Sequence, residues 1–129
     1  MYKILIVYSN YYKDISKNLL SGSLARLKDK AKIKIIEVPG SFEIPVVISK
    51  NINDFESFIA LGCIIKGETP HFEFISQSIT NSIMDMSVKF KKPIGNGIIT
   101  CLNKDQAIAR SNKKGIEAAD AILKVLHIL

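Results

Sequence analysis

Nowhere does this chain stay apolar for the roughly eighteen residues that a membrane span requires, so no transmembrane helix is expected. The opening run, Ile4-Leu5-Ile6-Val7, is too short for the core of a signal peptide and no small-residue cleavage site follows it, which predicts a cytoplasmic protein. Cysteine is scarce. Cys63 and Cys101 have no CxxC spacing and no accompanying histidine pair, which speaks against a metal centre or a redox pair and predicts two reduced thiols. No internal repeat, linker or low-complexity segment divides the 129 residues, so a single domain over residues 1–129 is expected. Acidic residues are in the minority: 12 against 18 Lys and Arg, a net charge of +6 that favours anionic ligands. The lysines are scattered, however, and no aromatic-rich RNA-binding signature accompanies them. A solvated basic surface is the better reading than a nucleic-acid interface. With 47% hydrophobic residues the chain is not disordered.

What is present is organised around residues 58–74. Phe58 to Ile65 is an unbroken apolar run, the pattern of a strand buried on both faces of a parallel sheet. Polar residues follow at Lys66-Gly67-Glu68-Thr69-Pro70, and then the period changes. Phe72, Ile75, Ile79, Ile83, Met86 and Phe90 recur three or four apart, on one face of a helix. Strand, glycine-containing loop and helix in this order suit an anion held by backbone N–H groups at a helix start, with Lys66 beside it and His71 placed as a proton carrier. The same pattern is also ordinary connection chemistry, and a histidine at a helix start is often a surface residue.

The rest repeats the unit. Lys3 to Ser9 reads as a strand, followed by a helix with Ile15, Leu19, Leu20, Leu24 and Leu27 inward. Lys32 to Val38 reads as a second, mostly buried strand. Ser41 is placed to cap a helix through Ile44, Val47 and Ile48, with Pro45 tolerated near its start. Ile94 to Thr100 reads as a fourth strand. Its Gly95-Asn96-Gly97 implies that another group approaches the backbone closely. Asn103 is placed to cap a short helix through Arg110, and Ser111-Asn112-Lys113-Lys114-Gly115 reads as an interruption. The last helix carries two apolar stripes, one with Ala119 and Leu123, the other with Ala118, Ile122, Val125 and Leu129. The second stripe predicts a partner subunit. Four strand–helix units imply an α/β fold, a four-stranded parallel sheet between helices on both faces, in a three-layer α/β/α sandwich.

In such a sheet the carboxyl ends of the strands share one side. That side would gather Tyr11, Tyr12, Ser41, Phe42, Glu43, the 67–71 loop and Asn96 to Cys101, with Arg110 on the next helix. Aromatic faces, one carboxylate for hydroxyls, an anion loop and a guanidinium fork together suit a flat hydroxylated heterocycle and a phosphate.

Several blocks carry a closer resemblance. Val38-Pro39-Gly40-Ser41-Phe42-Glu43-Ile44-Pro45 resembles the Val-Pro-Gly-Ala-Phe-Glu-hydrophobic-Pro block of the lumazine synthases. Leu61-Gly62-Cys63-Ile64-Ile65-Lys66-Gly67-Glu68-Thr69-Pro70-His71-Phe72 is similar to that family's Leu-Gly-x-hydrophobic-hydrophobic-Arg/Lys-Gly-x-Thr-x-His-aromatic block. Gly97-Ile98-Ile99-Thr100 and Gln106-Ala107-Ile108-Ala109-Arg110 match a third and a fourth, in the family's order and spacing over nearly the whole chain. The resemblance implies a flavodoxin-like, lumazine synthase fold. It places Tyr11 against the pyrimidine ring, Ser41, Phe42 and Glu43 on the ribityl side, and Cys63, Ile64 and Ile65 along the pyrimidine pocket. Gly67, Glu68 and Thr69 would hold the phosphate of the second substrate, His71 would carry protons, and Arg110 with Lys114, or equally Lys113, would bind that phosphate. Asn96 stands where many relatives carry Phe, at a position that reaches a neighbour's site. The chain also begins almost on its first strand, where relatives often have a further segment that joins a neighbour's sheet.

The implied activity is that of a transferase of riboflavin biosynthesis. It condenses 5-amino-6-(D-ribitylamino)uracil with 3,4-dihydroxy-2-butanone 4-phosphate, without metal or organic cofactor, in a homopentamer that needs neither membrane nor nucleic acid. The alternative is a non-catalytic flavin- or lumazine-binding protein of the same fold, which would have no need of His71 and Arg110.

Overall fold

The computed structural model describes residues 1–67 and 71–128. Four parallel strands, β1 (Tyr2–Ser9), β2 (Ala31–Val38), β3 (Ser57–Ile65) and β4 (Ile94–Cys101), pair in the order β2-β1-β3-β4. The crossover helices are α1 (Lys13–Leu27), α2 (Ile44–Lys50) and α3 (Phe72–Phe90), and α4 (Lys104–Ile128) follows the last strand. A single 3-10 turn, Ser41–Glu43, leads into α2.

The two-residue period of the strands builds two cores, as expected for a sheet covered on both faces. Ile4 and Ile6 of β1, with Ile59, Leu61, Cys63 and Ile65 of β3, point towards α1 and α4. Leu5 and Val7, with Phe58, Ala60 and Ile64, point towards α2 and α3, where Ile44, Ile48, Ile79 and Ile83 meet them. Every residue of β3 is buried, as its unbroken apolar run predicts.

Three expectations need correction. Strand β2 is not mostly buried: only Val38 is, Ile35 is 42% exposed, and Lys32, Lys34 and Glu37 face solvent. It lies at the edge of the sheet, with one neighbour rather than two, and exposed lysines are a common guard for such an edge. Helix α4 is not interrupted at 111–115 but runs unbroken from Lys104. The small residues read as a break are buried contacts: Ser111 and Gly115 lie inside, and the Gly115 carbonyl accepts a 2.7 Å hydrogen bond from the Ser23 hydroxyl of α1. The second apolar stripe is no sign of a partner in itself. Ile122 is 1% exposed and Ala118 is buried within the chain, because α4 packs against the sheet and α1 at once. Val125 is 41% exposed, and Leu129 lies outside the described residues.

Helices α1 and α4 touch through glycine. A Cβ on Gly115 would stand 2.1 Å from the Leu19 carbonyl oxygen, and one on Gly22 would stand 2.5 Å from that of Asn112. Both obstacles are backbone, so neither can swing away. Gly115→Ala is therefore expected to destabilise the fold by about 1–3 kcal/mol through overpacking, despite the better helix propensity of alanine. Urea denaturation measures this, and an unchanged midpoint would contradict the contact. Gly95 of β4 answers to α4 in the same way: a Cβ there would meet the Ala118 carbonyl oxygen at 2.5 Å, whereas one on Gly97 would first meet Leu61 of β3, also at 2.5 Å. The close approach that Gly95-Asn96-Gly97 predicts is thus the packing of α4 at Gly95 and of β3 at Gly97.

Candidate functional site

At the carboxyl ends of the central strands β1 and β3 a cavity of about 150 Å3 opens, lined by Tyr11, Tyr12, Gly40, Ser41, Phe42, Cys63, Ile64 and Ile75. Strand β1 ends at Ser9, and the chain turns there because the Ser9 carbonyl accepts a hydrogen bond from Ser16 of α1. Tyr11 and Tyr12 follow in edge-to-face contact, ring centroids 4.9 Å apart at 79°. Tyr11 is 62% exposed and Phe42 is also exposed, so both rings offer open faces to a planar ligand.

Ser41 does not cap the helix. Gly40 precedes the 3-10 turn, no side chain caps it, and the Ser41 hydroxyl is turned inward against β3. Ser41 is 7% exposed, and its Oγ has no hydrogen-bond partner among the described residues. The Glu43 carboxylate folds back over Gly40, where a Cβ would come within 2.8 Å of Oε1. Burial pushes the Cys63 thiol up to about 12, with Cys101 adding a smaller effect. It is therefore a neutral wall of the cavity at pH 7 and not a nucleophile. Ile65 packs into the core under α1 and α4 rather than onto the cavity wall.

The loop after β3 leaves the sheet through Lys66, whose N–H donates to the Cys101 carbonyl at 2.9 Å, and Gly67, at φ +87°. Glu68 and Thr69, both expected at the anion loop, lie outside the described residues. His71 stands at the start of α3 in the left-handed region, φ 62° and ψ 39°, a conformation that non-glycine residues seldom adopt and that clusters at functional sites. Its side chain is exposed, 5.8 Å from the Phe74 ring.

Arg110 lines a different cavity, of about 400 Å3, with Lys113, Lys114, Glu117 and Ala109 of α4 and Ile98, Ile99 and Thr100 of β4. Asn103 caps the helix as expected: its Oδ1 accepts from the Gln106 N–H at 2.9 Å, while Gln106 Oε1 accepts from the Leu102 N–H at 3.0 Å. In the unbroken helix Arg110, Lys113, Lys114 and Glu117 fall at i, i+3, i+4 and i+7, on one face. Three cations and one carboxylate give that face a net positive charge. Lys113 and Lys114 both line it, Lys114 being the more buried.

One chain therefore does not gather all the residues that the sequence places together. The two cavities share no lining residue. The first sits over the central strands; the second sits beside β4, at the opposite edge of the sheet from β2. Asn96 lines neither. It is exposed on β4, and its Oδ1 accepts the N–H of Ile98 on its own strand at 3.0 Å. Ile75 and Glu117 are lining residues that the motifs did not include. Glu117 had a signal, its helical spacing from Arg110, which the apparent break at 111–115 concealed.

Comparison with known proteins identifies the family. The chain matches the model of the 6,7-dimethyl-8-ribityllumazine synthase family over residues 1–129. It is 41% identical to 6,7-dimethyl-8-ribityllumazine synthase 1 of Rhodopseudomonas palustris, over 98% of this chain and 85% of that one. It is 38% identical to the 6,7-dimethyl-8-ribityllumazine synthases of Cutibacterium acnes and Methylobacterium radiotolerans, over 98% of this chain and 81% of each of theirs. With the parallel α/β/α sheet in place and the match running from end to end, the chain belongs to the 6,7-dimethyl-8-ribityllumazine synthase family.

Proposed function

We infer that residues 1–129 form one synthase domain that makes 6,7-dimethyl-8-ribityllumazine from 5-amino-6-(D-ribitylamino)uracil and 3,4-dihydroxy-2-butanone 4-phosphate. The amino group of the pyrimidine condenses with the ketone to an imine, phosphate leaves, and ring closure with loss of water completes the second ring. The observation that carries this reading is the pairing of an aromatic-walled cavity at β1 and β3 with a cationic row on α4. The first suits the flat pyrimidine, stacked on Tyr11 with Phe42 and Glu43 towards the ribityl chain. The second suits phosphate on Arg110 and Lys114. Gly67, Glu68 and Thr69 complete the phosphate side, and Cys63 and Ile64 with Ile65 behind them complete the pyrimidine side.

Because the two cavities are separate within one chain, a complete site needs two copies, the cationic row of one facing the aromatic cavity of the next. A head-to-tail contact of this kind closes into a ring. Exposed apolar side chains support such an interface: Phe42, Val46, Phe74, Met84 and Val88 all face outward. The ring is a homopentamer acting in the cytoplasm, and Asn96 stands on the strand edge that meets the neighbour.

Most of the acceleration comes from holding two substrates together. His71→Ala is accordingly expected to slow turnover by about a hundredfold or less while both KM values stay close to wild type, since water replaces a proton carrier in part. Steady-state kinetics check this, and complete loss of activity in a folded, substrate-binding variant would contradict it. The function itself is tested by supplying both substrates to the purified protein, following lumazine fluorescence and measuring mass by light scattering. Absence of product would refute it.

A further inference from the structure

Some of the lysines that lie apart in the sequence meet in the fold. Strand register sets Lys3 of β1 directly beside Lys32 of β2, and Leu5 beside Lys34. Alternation then puts Lys3, Lys32 and Lys34 on the sheet face that carries Leu5 and Val7. There they line a cleft of about 360 Å3 with Asn51, Asp54 and Phe55 from the turn between α2 and β3. Neighbouring strands run about 4.8 Å apart, so like charges in register repel. No carboxylate comes within ion-pair distance of these three ammonium groups among the described residues. Glu56 is close by, but its Oε1 accepts from the Lys3 backbone N–H at 2.9 Å. The Lys3 ammonium lies instead over the Phe55 ring, 5.1 Å from its centroid. Guarding the sheet edge accounts for Lys32 and Lys34 but not for Lys3, which stands on an interior strand.

We propose that this cleft is a second anion site, which takes a small multivalent oxyanion, a phosphate monoester or a diphosphate. Three ammonium groups face the single lining carboxylate of Asp54, and an anion with two or more charges offsets the excess. Lysine binds phosphate as a point charge with freely turning donors, so the site selects for charge rather than for one stereochemistry. Nucleic acid is the poorer fit. A strand is held on open aromatic faces, whereas Phe55 is 6% exposed and has Lys3 across its ring. The cleft shares no lining residue with the aromatic cavity or with the α4 row, so it stands apart from the synthase reading. Without a ligand the lysines repel one another. A bound oxyanion removes that repulsion, so binding also stabilises the fold.

The test adds Lys32→Gln and Lys34→Gln to the full chain and compares it with its parent, by calorimetric titration and thermal melting at low ionic strength. Both proteins carry Arg110→Ala, which weakens the α4 row so that phosphate bound there does not mask the difference. The probes are inorganic diphosphate and glycerol phosphate. The lysine variant should bind diphosphate about tenfold more weakly than its parent. Diphosphate should raise the melting temperature of the parent and not that of the variant. Without ligand the variant should melt at the same temperature or higher, because the opposed charges are gone. Tighter binding of diphosphate marks a free polyanion as the occupant, and equal or tighter binding of glycerol phosphate marks a phosphate monoester; either supports the site. Equal affinity in parent and variant would overturn it. So would equal stabilisation by sodium chloride at matched ionic strength, which is screening alone, and so would a lower melting temperature of the ligand-free variant, which marks the lysines as structural. A short single-stranded oligonucleotide that bound more tightly than both small anions would overturn it in favour of a nucleic-acid surface. Lys3→Gln, on the other strand, repeats the comparison if the double variant does not fold.

Discussion

Arg110→Ala raises the KM for the butanone phosphate by about ten- to a hundredfold and leaves the affinity for the pyrimidine unchanged. This is the expected result if the α4 row holds the leaving group. A guanidinium offers two parallel N–H donors to a phosphate, and each charge-assisted hydrogen bond is worth about 1.5–3 kcal/mol. Lys113 and Lys114 remain in the same cavity and limit the loss, because they keep the local field positive. Arg110→Lys is expected to recover only part of it, since a point charge cannot reproduce the fork. Initial rates at saturating pyrimidine, with the phosphorylated substrate varied, give the comparison. An unchanged KM for that substrate would remove Arg110 from the site.

The second large effect belongs to the assembly. Glu43→Ala impairs the aromatic side of a site and Arg110→Ala the cationic side, so each variant alone is nearly inactive at substrate concentrations well below the raised KM. Co-expressed in equal amounts, they should regain about a quarter of wild-type activity. In a ring with random placement, half of the aromatic cavities are intact and half of those face an intact cationic row. A site built within one chain predicts no recovery beyond the sum of the two parents. Co-purified mixed rings, separated by a charge tag on one variant, distinguish the two outcomes.

Most of the layout was legible because it follows from periodicity. The apolar run Phe58–Ile65 suits an interior strand, and the alternation along β1 and β3 sets which residues meet which helix layer. The aromatic cavity was legible for a related reason, since Tyr11, Ser41, Phe42, Cys63 and Ile64 all lie where strands β1, β2 and β3 end. What stayed hidden depended on order across the sheet. Apolar content alone does not say that Ile33 to Ile36 lie on an edge strand, because that depends on which strands pair. The distance between Arg110 and Tyr11 was obscured in the same way, since β4 had no assigned place. At 111–115, a serine, an asparagine and a glycine carry the local signature of a loop. Tertiary contact reversed it, because α1 comes so close that only small residues fit between the helices.

That closeness has a consequence for the chemistry. An α-helix lying on a sheet can in principle roll about its axis, and a one-residue slip turns every side chain by about 100°. Here the roll is indexed. Gly115 is the residue that admits the Leu19 carbonyl, Gly22 admits that of Asn112, and any neighbouring residue brought into either slot would carry a Cβ into backbone. Helix α4 thus has one permitted azimuth, like a keyed shaft, and the keys are two hydrogen atoms where side chains would be. Arg110, Lys113 and Lys114 occupy fixed bearings from that key. The direction in which the protein presents its positive charge is set by residues that carry none.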